Sequence, residues 1–332
     1  MGVTNRISLY MGGAVFLSLL LFPFINDSRS MLILFTQIFI FAIFAMSFDL
    51  LLGYTGIVSF GHCMFFGIGA YSVAILFNRQ EPTLLNFLLG ILIGVVLSAV
   101  VSYIIGLLSL RLKSHFYAML TLAVSQLFLV LAEKWRALTL GGDGFTFTVP
   151  DVFKDRMSFY FIALCSVMVI FILLKLFTES STGKVLKAIS QNEYRAEALG
   201  FKTLHYKLMA SVAAGMVAAF SGALYAISLR FINTNVFSIE VTLDALLMTM
   251  IGGVGTLVGA IAGAGIIEFL RHYLSELAMQ YPIFERWTII LGFLYVVVLL
   301  AFPSGLAGVF KRVRNRRLPK KEARDVEGKR VA

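Results

Sequence analysis

Charge is what this chain has least of. Asp, Glu, Lys and Arg make up 14% of its 332 residues, where an ordinary soluble domain carries about 25%. Apolar residues make up 59%, with 31 Phe among them, and the mean hydropathy is +0.89. A soluble fold of this length would divide into about two domains and would lack the polar surface to cover them. That excludes a water-soluble protein and makes the bilayer the main solvent. Cysteine is also scarce: Cys63 and Cys165 lie far apart in apolar segments, without CxxC or His-rich company. No disulfide framework or cysteine metal site follows, and both thiols are expected to be buried spectators.

Catalytic signatures are missing too. The one Gly-Lys pair, Gly183-Lys184, is followed by Val185, and Thr178 stands where a phosphate-binding loop needs its first glycine. The chain therefore does not hydrolyse ATP itself. It has no H-E-x-x-H, no G-x-S-x-G and no cluster of His with carboxylates at ligand spacing, so neither a familiar enzyme nor a metal site is expected.

What is present is a series of apolar runs. A spanning helix needs about 20 mainly apolar residues, and such runs lie near 8–25, 31–52, 62–78, 84–109, 116–132, 159–177, 206–229 and 287–302. The expected fold is an all-α polytopic membrane protein of about 8–10 transmembrane helices. The run at 8–25 ends at Phe22-Pro23-Phe24 without an A-x-A site, so it is expected to remain as a helix rather than be cleaved as a signal peptide. Residues 1–310 form the membrane domain and 311–332 a basic tail.

Lys and Arg set the orientation. The tail, with Lys311, Arg312, Arg314, Arg316 and Arg317, is expected in the cytoplasm, which places the loop 271–286 outside and the loop 178–205 inside. Most of the 28 basic residues then fall on the inner side. The net charge of +10 is accounted for as a membrane anchor facing anionic lipid, without nucleic acid.

This orientation makes the stretch 241–270 begin and end outside. About 30 residues at about 1.5 Å each cannot cross twice as full helices. A break is expected at Ile251–Thr256, around Gly252, Gly253 and Gly255, giving two short or half helices. A comparable interruption runs from Gly53 to His62, through Tyr54, Ser59 and Gly61. Broken segments survive in a membrane only when packed in protein or lining a polar cavity, and transporters place them beside the substrate path. Two such breaks in corresponding halves suggest an internal duplication. The ridge Gly255, Gly259, Gly263 and the pair Gly90, Gly94 are read as close helix packing.

Asp49, His62, Asp244 and Glu268 are the ionisable residues within the apolar runs. An Asp at a helix centre costs about 2.5–3.5 kcal/mol on insertion scales, so these groups should face protein or water. They are too few and scattered for a proton pathway. For Asp49 and Asp244 the plainer role is an interhelical or helix-end hydrogen bond. His62 follows a glycine break and has two readings. It can begin a helix whose free N–H groups suit a carboxylate ligand, or it can be a structural histidine bonded to neighbouring backbone.

The inside loop carries the pattern of one or two short amphipathic helices between Glu179 and Gly200. Val185, Leu186, Ile189, Ala196 and Leu199 can share an apolar face, with Gly200 as the C-cap. Such an element suits docking to a cytosolic partner.

Three segments carry a resemblance: Leu50–His62 with Phe65–Tyr71; the loop ending Glu193, Arg195, Ala196, Glu197, Ala198, Leu199, Gly200; and Ile251–Gly259. A weaker match lies at Arg111–Leu122. Over roughly 30–310 the chain resembles the LivM-type permease subunits of ABC importers for branched-chain amino acids. It departs from that family at Asp49, where Asn is common. The resemblance implies pairing with a second, LivH-type permease, two cytosolic ATP-binding subunits and a periplasmic or extracellular substrate-binding protein. It implies a bacterial inner-membrane location and a chain that binds no cofactor while its partners use ATP. It also implies inward movement of branched-chain amino acids or related small amides such as urea, with Glu193–Gly200 as the coupling element. The alternative from the residues alone is a self-sufficient carrier or channel, which has no evident need for the long inside loop.

Overall fold

The computed structural model describes residues 17–24, 28–110, 114–280, 289 and 292. A helix is present at 17–24 (α1), followed by α2 (Arg29–Thr55), α3 (His62–Arg79), α4 (Leu84–Ser109), α5 (Ser114–Lys134) and the single turn α6 (Arg136–Thr139). After β1 (Phe145–Thr146) come α7 (Asp151–Lys154), α8 (Arg156–Glu179), α9 (Ser181–Gln191), α10 (Glu193–Ala198) and α11 (Thr203–Leu229). Strand β2 (Phe231–Ile232) and a 3-10 turn at Thr234–Phe237 lead into α12 (Ile239–Gly252) and α13 (Leu257–Gln280). The fold is all-α and polytopic. The two short strands pair antiparallel, Phe145 opposite Ile232, and tie the α6–α7 connection to the end of α11.

Six of these helices are long and apolar enough to cross a membrane: α2, α4, the Phe116–Lys134 part of α5, α8, α11 and the Leu257–Ala278 part of α13. The run at 62–78 becomes α3, which is less apolar because His62, Asn78 and Arg79 occupy its ends. Apart from residues 289 and 292, the run at 287–302 lies outside the described residues, as do the basic tail and most of 8–25.

Helix burial follows residue size. Between Phe39 and Leu51 α2 is apolar almost all round, and it is buried over that length, as expected of a central helix. On α4 the inward residues are small: Gly90, Gly94, Ser98, Ser102 and Gly106 recur every fourth position, while Leu88, Leu92, Val96 and Val100 point outward. In lipid, packing and hydrogen bonds rather than hydrophobicity hold helices together, so small residues go inside. Gly90 meets Val73 and Gly94 meets Ser72 and Gly69 of α3. Ser102 and Ser211 share a hydrogen bond of 2.9 Å between α4 and α11, and Ser98 donates to the Gly215 carbonyl at 3.2 Å. Helix α11 is the hub, packed on α2, α3 and α4.

Helix starts obey local capping chemistry. Thr83, Asp155, Ser180 and Asn192 each accept a backbone N–H at the start of α4, α8, α9 and α10. At Asp155 the Ser158 hydroxyl and N–H, at 2.7 and 2.9 Å, hold the carboxyl below the usual carboxylate range.

Four expectations are corrected. The stretch 241–270 does break near Gly253, but into a 14-residue α12 and a 24-residue α13 rather than two short pieces. Helix α13 runs on to Gln280, so much of the expected loop 271–286 is helical. Arg271 is matched there by Glu268 on its own helix at 3.2 Å and Asp244 on α12 at 2.8 Å, so the charges do not end the helix. Cys165 is exposed rather than buried. It lies in an apolar groove of about 460 Å³ between α8 and α11, lined also by Phe161, Val169 and Phe220. Leu199 leaves the apolar face of the loop and is 72% exposed, because the chain turns sharply at Gly200.

Candidate functional site

The two breaks meet. Helix α2 ends where Gly56, at φ 73°, donates to the Leu52 carbonyl and Ile57 to that of Leu51, both at 3.2 Å. Residues 56–61 then return into the bundle, with Phe60 N–H donating to Thr121 Oγ1 of α5 at 3.2 Å. On the other side α12 stops at Gly253, whose φ of 117° few side chains tolerate, and Gly255 at φ 76° turns the chain into α13. The α12–α13 hairpin is closed by glycines: Gly259 lies against the Gly252 carbonyl and Gly263 against that of Met248. Its tip rests on α2 at Gly53, where no Cβ could fit beside Gly255. One turn earlier, on the same face, Asp49 Oδ1 accepts the Gly255 N–H at 2.7 Å.

Helix α13 runs antiparallel to α2. Asp49 and Gly53 meet residue 255 at one end, and Ser30 Oγ lies 3.3 Å from His272 Nε2 at the other. The hairpin therefore enters and leaves at the Ser30 end of α2 and turns near its Thr55 end.

His62 is the first residue of α3 and is fully buried among Phe44, Phe48 and Phe65, with ring centroids 5.4–5.7 Å away. Its Nε2 lies 2.8 Å from Ser47 Oγ, which also donates to the Phe44 carbonyl at 2.6 Å. With that hydroxyl proton committed, Nε2 is the donor and Nδ1 a bare acceptor without a partner among the described residues. The first-turn N–H of Cys63 goes to Thr242 Oγ1 of α12 at 2.9 Å. In this conformation the α3 N-terminus is thus joined to α12 rather than open to a ligand. Ser59, Gly61, Gly252 and Gly253 are buried at the same junction.

Asp244 stands apart from this junction, in the half-buried cluster with Arg271 and Glu268 between α12 and α13.

The loop segment lies under the Thr55 end of α2. Helix α9 buries Gly183, Leu186 and Ile189, sets Lys187 Nζ 4.8 Å from the centre of the buried Tyr54 ring, and brings Ser190 against Gly56. Helix α10 buries only Ala196. Glu193 pairs with Lys207 of α11, and Thr203 Oγ1 donates to Glu197 Oε1 at 2.8 Å. The helix closes as a Schellman cap, Gly200 N–H to Glu197 O at 2.8 Å and Phe201 N–H to Ala196 O at 3.2 Å, with Gly200 at φ 89°. What projects is Arg195, Glu197, Ala198 and two large apolar groups, Tyr194 at 84% and Leu199 at 72% exposure.

Sequence reasoning missed Ser47, Lys187 and Lys207. Ser47 carried no motif. Lys187 and Lys207 enter the sequence reading only through the overall bias of basic residues to the inner side, although a lysine just inside an apolar run, as Lys207 is, signals a buried partner.

The sequence profile of the family described as "Branched-chain amino acid transport system / permease component" matches residues 30–301. The LivM permease proteins of the high-affinity branched-chain amino acid transport systems of Salmonella typhimurium and Escherichia coli are each 22% identical to this chain. Each match runs over 307 residues, covering 84% of this chain and 70% of the relative. A probable LivM protein of Methanocaldococcus jannaschii is 22% identical over 213 residues, 60% of this chain and 61% of the relative. No solved structure matches the chain. With six helices long and apolar enough to cross a membrane and a profile match from residue 30 to residue 301, this multi-pass membrane protein belongs to the branched-chain amino acid transport permease family.

Proposed function

We propose that the chain is one of two permease subunits of an ATP-driven ABC importer in a bacterial inner membrane. Its cargo is branched-chain amino acids or related small amino acids and amides such as urea. The α9–α10 end faces the cytoplasm, as does the C-terminus. Two cytosolic ATP-binding subunits use the ATP, a LivH-type permease completes the path, and a periplasmic or extracellular binding protein delivers the solute. This chain binds no cofactor of its own.

The observation that carries the reading is α10. Apolar side chains as exposed as Tyr194 and Leu199 are costly on a polar surface element, yet the segment is fixed by a capped start, a Schellman end and two side-chain links to Glu193 and Glu197. A rigid element with apolar knobs suits insertion into a groove on a partner. The same end of the molecule holds both chain breaks, so a push there reaches them directly. Tyr54, Ser59, Gly61, His62, Gly252, Gly253 and Gly255 are the proposed path-side residues, exposed when the junction opens.

The test is substitution in the loop. Glu197→Lys removes the acceptor for Thr203, and Gly200→Pro is incompatible with φ 89° and removes the N–H that closes the helix. Either variant inserts into the membrane and loses ATP-driven uptake. Normal uptake by either variant would remove the coupling role.

A further inference from the structure

Asp49 is fully buried in a membrane-spanning helix, a placement that costs several kcal/mol unless the group is bonded. A packing role alone would be met by any local acceptor. The two elements that Asp49 joins point further. Its partner, Gly255 N–H, lies at the tip of the re-entrant hairpin. The other hydrogen bonds described for residues 253–256 stay inside the hairpin: Gly253 N–H to Thr249 O, Thr256 Oγ1 to Gly253 O and Ala260 N–H to Thr256 O. Among the described residues, Asp49 is thus the hydrogen-bond link between the tip and the rest of the bundle.

On the other side, Asp49 is a turn and a half from the end of α2 that α9 touches. Lys187 lies on the Tyr54 ring and Ser190 against Gly56. Residues 49–56 therefore form one stiff helical segment with α9 at one end and the hairpin tip at the other. Gly53 lets the tip sit directly on this segment, so a small displacement changes the short 2.7 Å bond before it changes the wider helix contacts.

The geometry points to Asp49 as the positioning residue that links the α9–α10 loop to the re-entrant hairpin. Movement of α9 against Tyr54 and Gly56 shifts the last turns of α2 and breaks the Asp49–Gly255 bond, which releases the tip. This deepens the proposed function and rests on α9–α10 being the ATPase contact.

The test uses the whole importer, with its ATPases and second permease, in liposomes, reading solute uptake and ATP hydrolysis together. Asp49→Asn keeps an Oδ1 acceptor and retains uptake per ATP within about threefold. Asp49→Leu keeps the bulk without the acceptor and lowers uptake per ATP at least about tenfold. An unchanged ratio in Asp49→Leu, or equal loss in Asp49→Asn, overturns the proposal. Should Asp49→Leu not assemble, amide exchange on the wild-type complex decides: the Gly255 N–H is protected at rest and exchanges at least about tenfold faster once ATP and vanadate hold the ATPases closed. Unchanged protection overturns it. A wild-type complex that takes up solute without ATP overturns the reading of the loop, and the linkage with it.

Discussion

Gly69 of α3 is a position where one added methyl group meets backbone directly. A Cβ there would lie 2.6 Å from the Ala219 Cα of α11, with the Ala219 carbonyl closer still. Carbon–carbon contacts sit at about 3.5–4.0 Å, so the helices must part by about 1 Å, which forfeits a quarter to a half of each dispersion contact along the seam. Because the obstacle is backbone, no rotamer change relieves it, and the overpacking cost belongs at the upper end of the usual range, about 3 kcal/mol. Alanine returns about 1 kcal/mol of helix propensity. The net for Gly69→Ala is a loss of about 2 kcal/mol, or roughly 30-fold in the folded-to-unfolded ratio. The chain carries its own reporter, since Cys63 is fully buried. In a Cys165→Ser background, labelling of Cys63 by a thiol-reactive dye during heating reads unfolding, and Gly69→Ala should lower the midpoint by about 4 °C. Gly142→Ala, with no atom within 4 Å of the added carbon, should not move it. An unchanged midpoint for Gly69→Ala would refute the argument that α3 and α11 meet backbone to backbone.

The Glu193–Lys207 pair and the Arg271 cluster give further expectations with the same assay. Glu193→Ala strands Lys207, whose side chain is 10% exposed, whereas Lys207→Met leaves Glu193 at 43% with water to solvate it. The first should cost about 2–3 kcal/mol and the second less than about 1. Arg271→Leu leaves the Asp244 and Glu268 carboxylates without their shared guanidinium, at a cost of about 3 kcal/mol, and Asp244→Asn in that background should recover part of it.

The elements with long-range chemical signals were legible in the sequence. Hydropathy placed α2, α4, α5, α8 and α11, and positive-charge bias together with helix length required the 241–270 stretch to return to its own side, which the α12–α13 hairpin does. The glycines at 252, 253 and 255 marked its turn, because two of those positions need positive φ. The end of α13 was not legible, since Arg271 reads as a terminator until Asp244, 27 positions earlier, is known to face it. The seat of the tip on Gly53 was hidden for a related reason: a glycine's absent side chain says that something comes close without saying what. His62 stood out in the sequence, yet its polar neighbour Ser47 lies one helix away with nothing in its local sequence to announce it. In α10 the pattern fixed the cap at Gly200 but put Leu199 on the wrong face, because helical periodicity was extended through a residue that already belongs to the turn.

The central claim is that this chain is a permease driven by separate ATPases. The most direct measurement is gentle purification of the tagged chain from its native membrane, identification of what accompanies it by mass spectrometry, and uptake by the recovered material in liposomes with and without ATP. The account predicts a second hydrophobic permease and phosphate-loop ATPases in the preparation, and uptake of a branched-chain amino acid or small amide only when ATP is supplied. A chain that arrives alone, folded, and moves solute without ATP would contradict it.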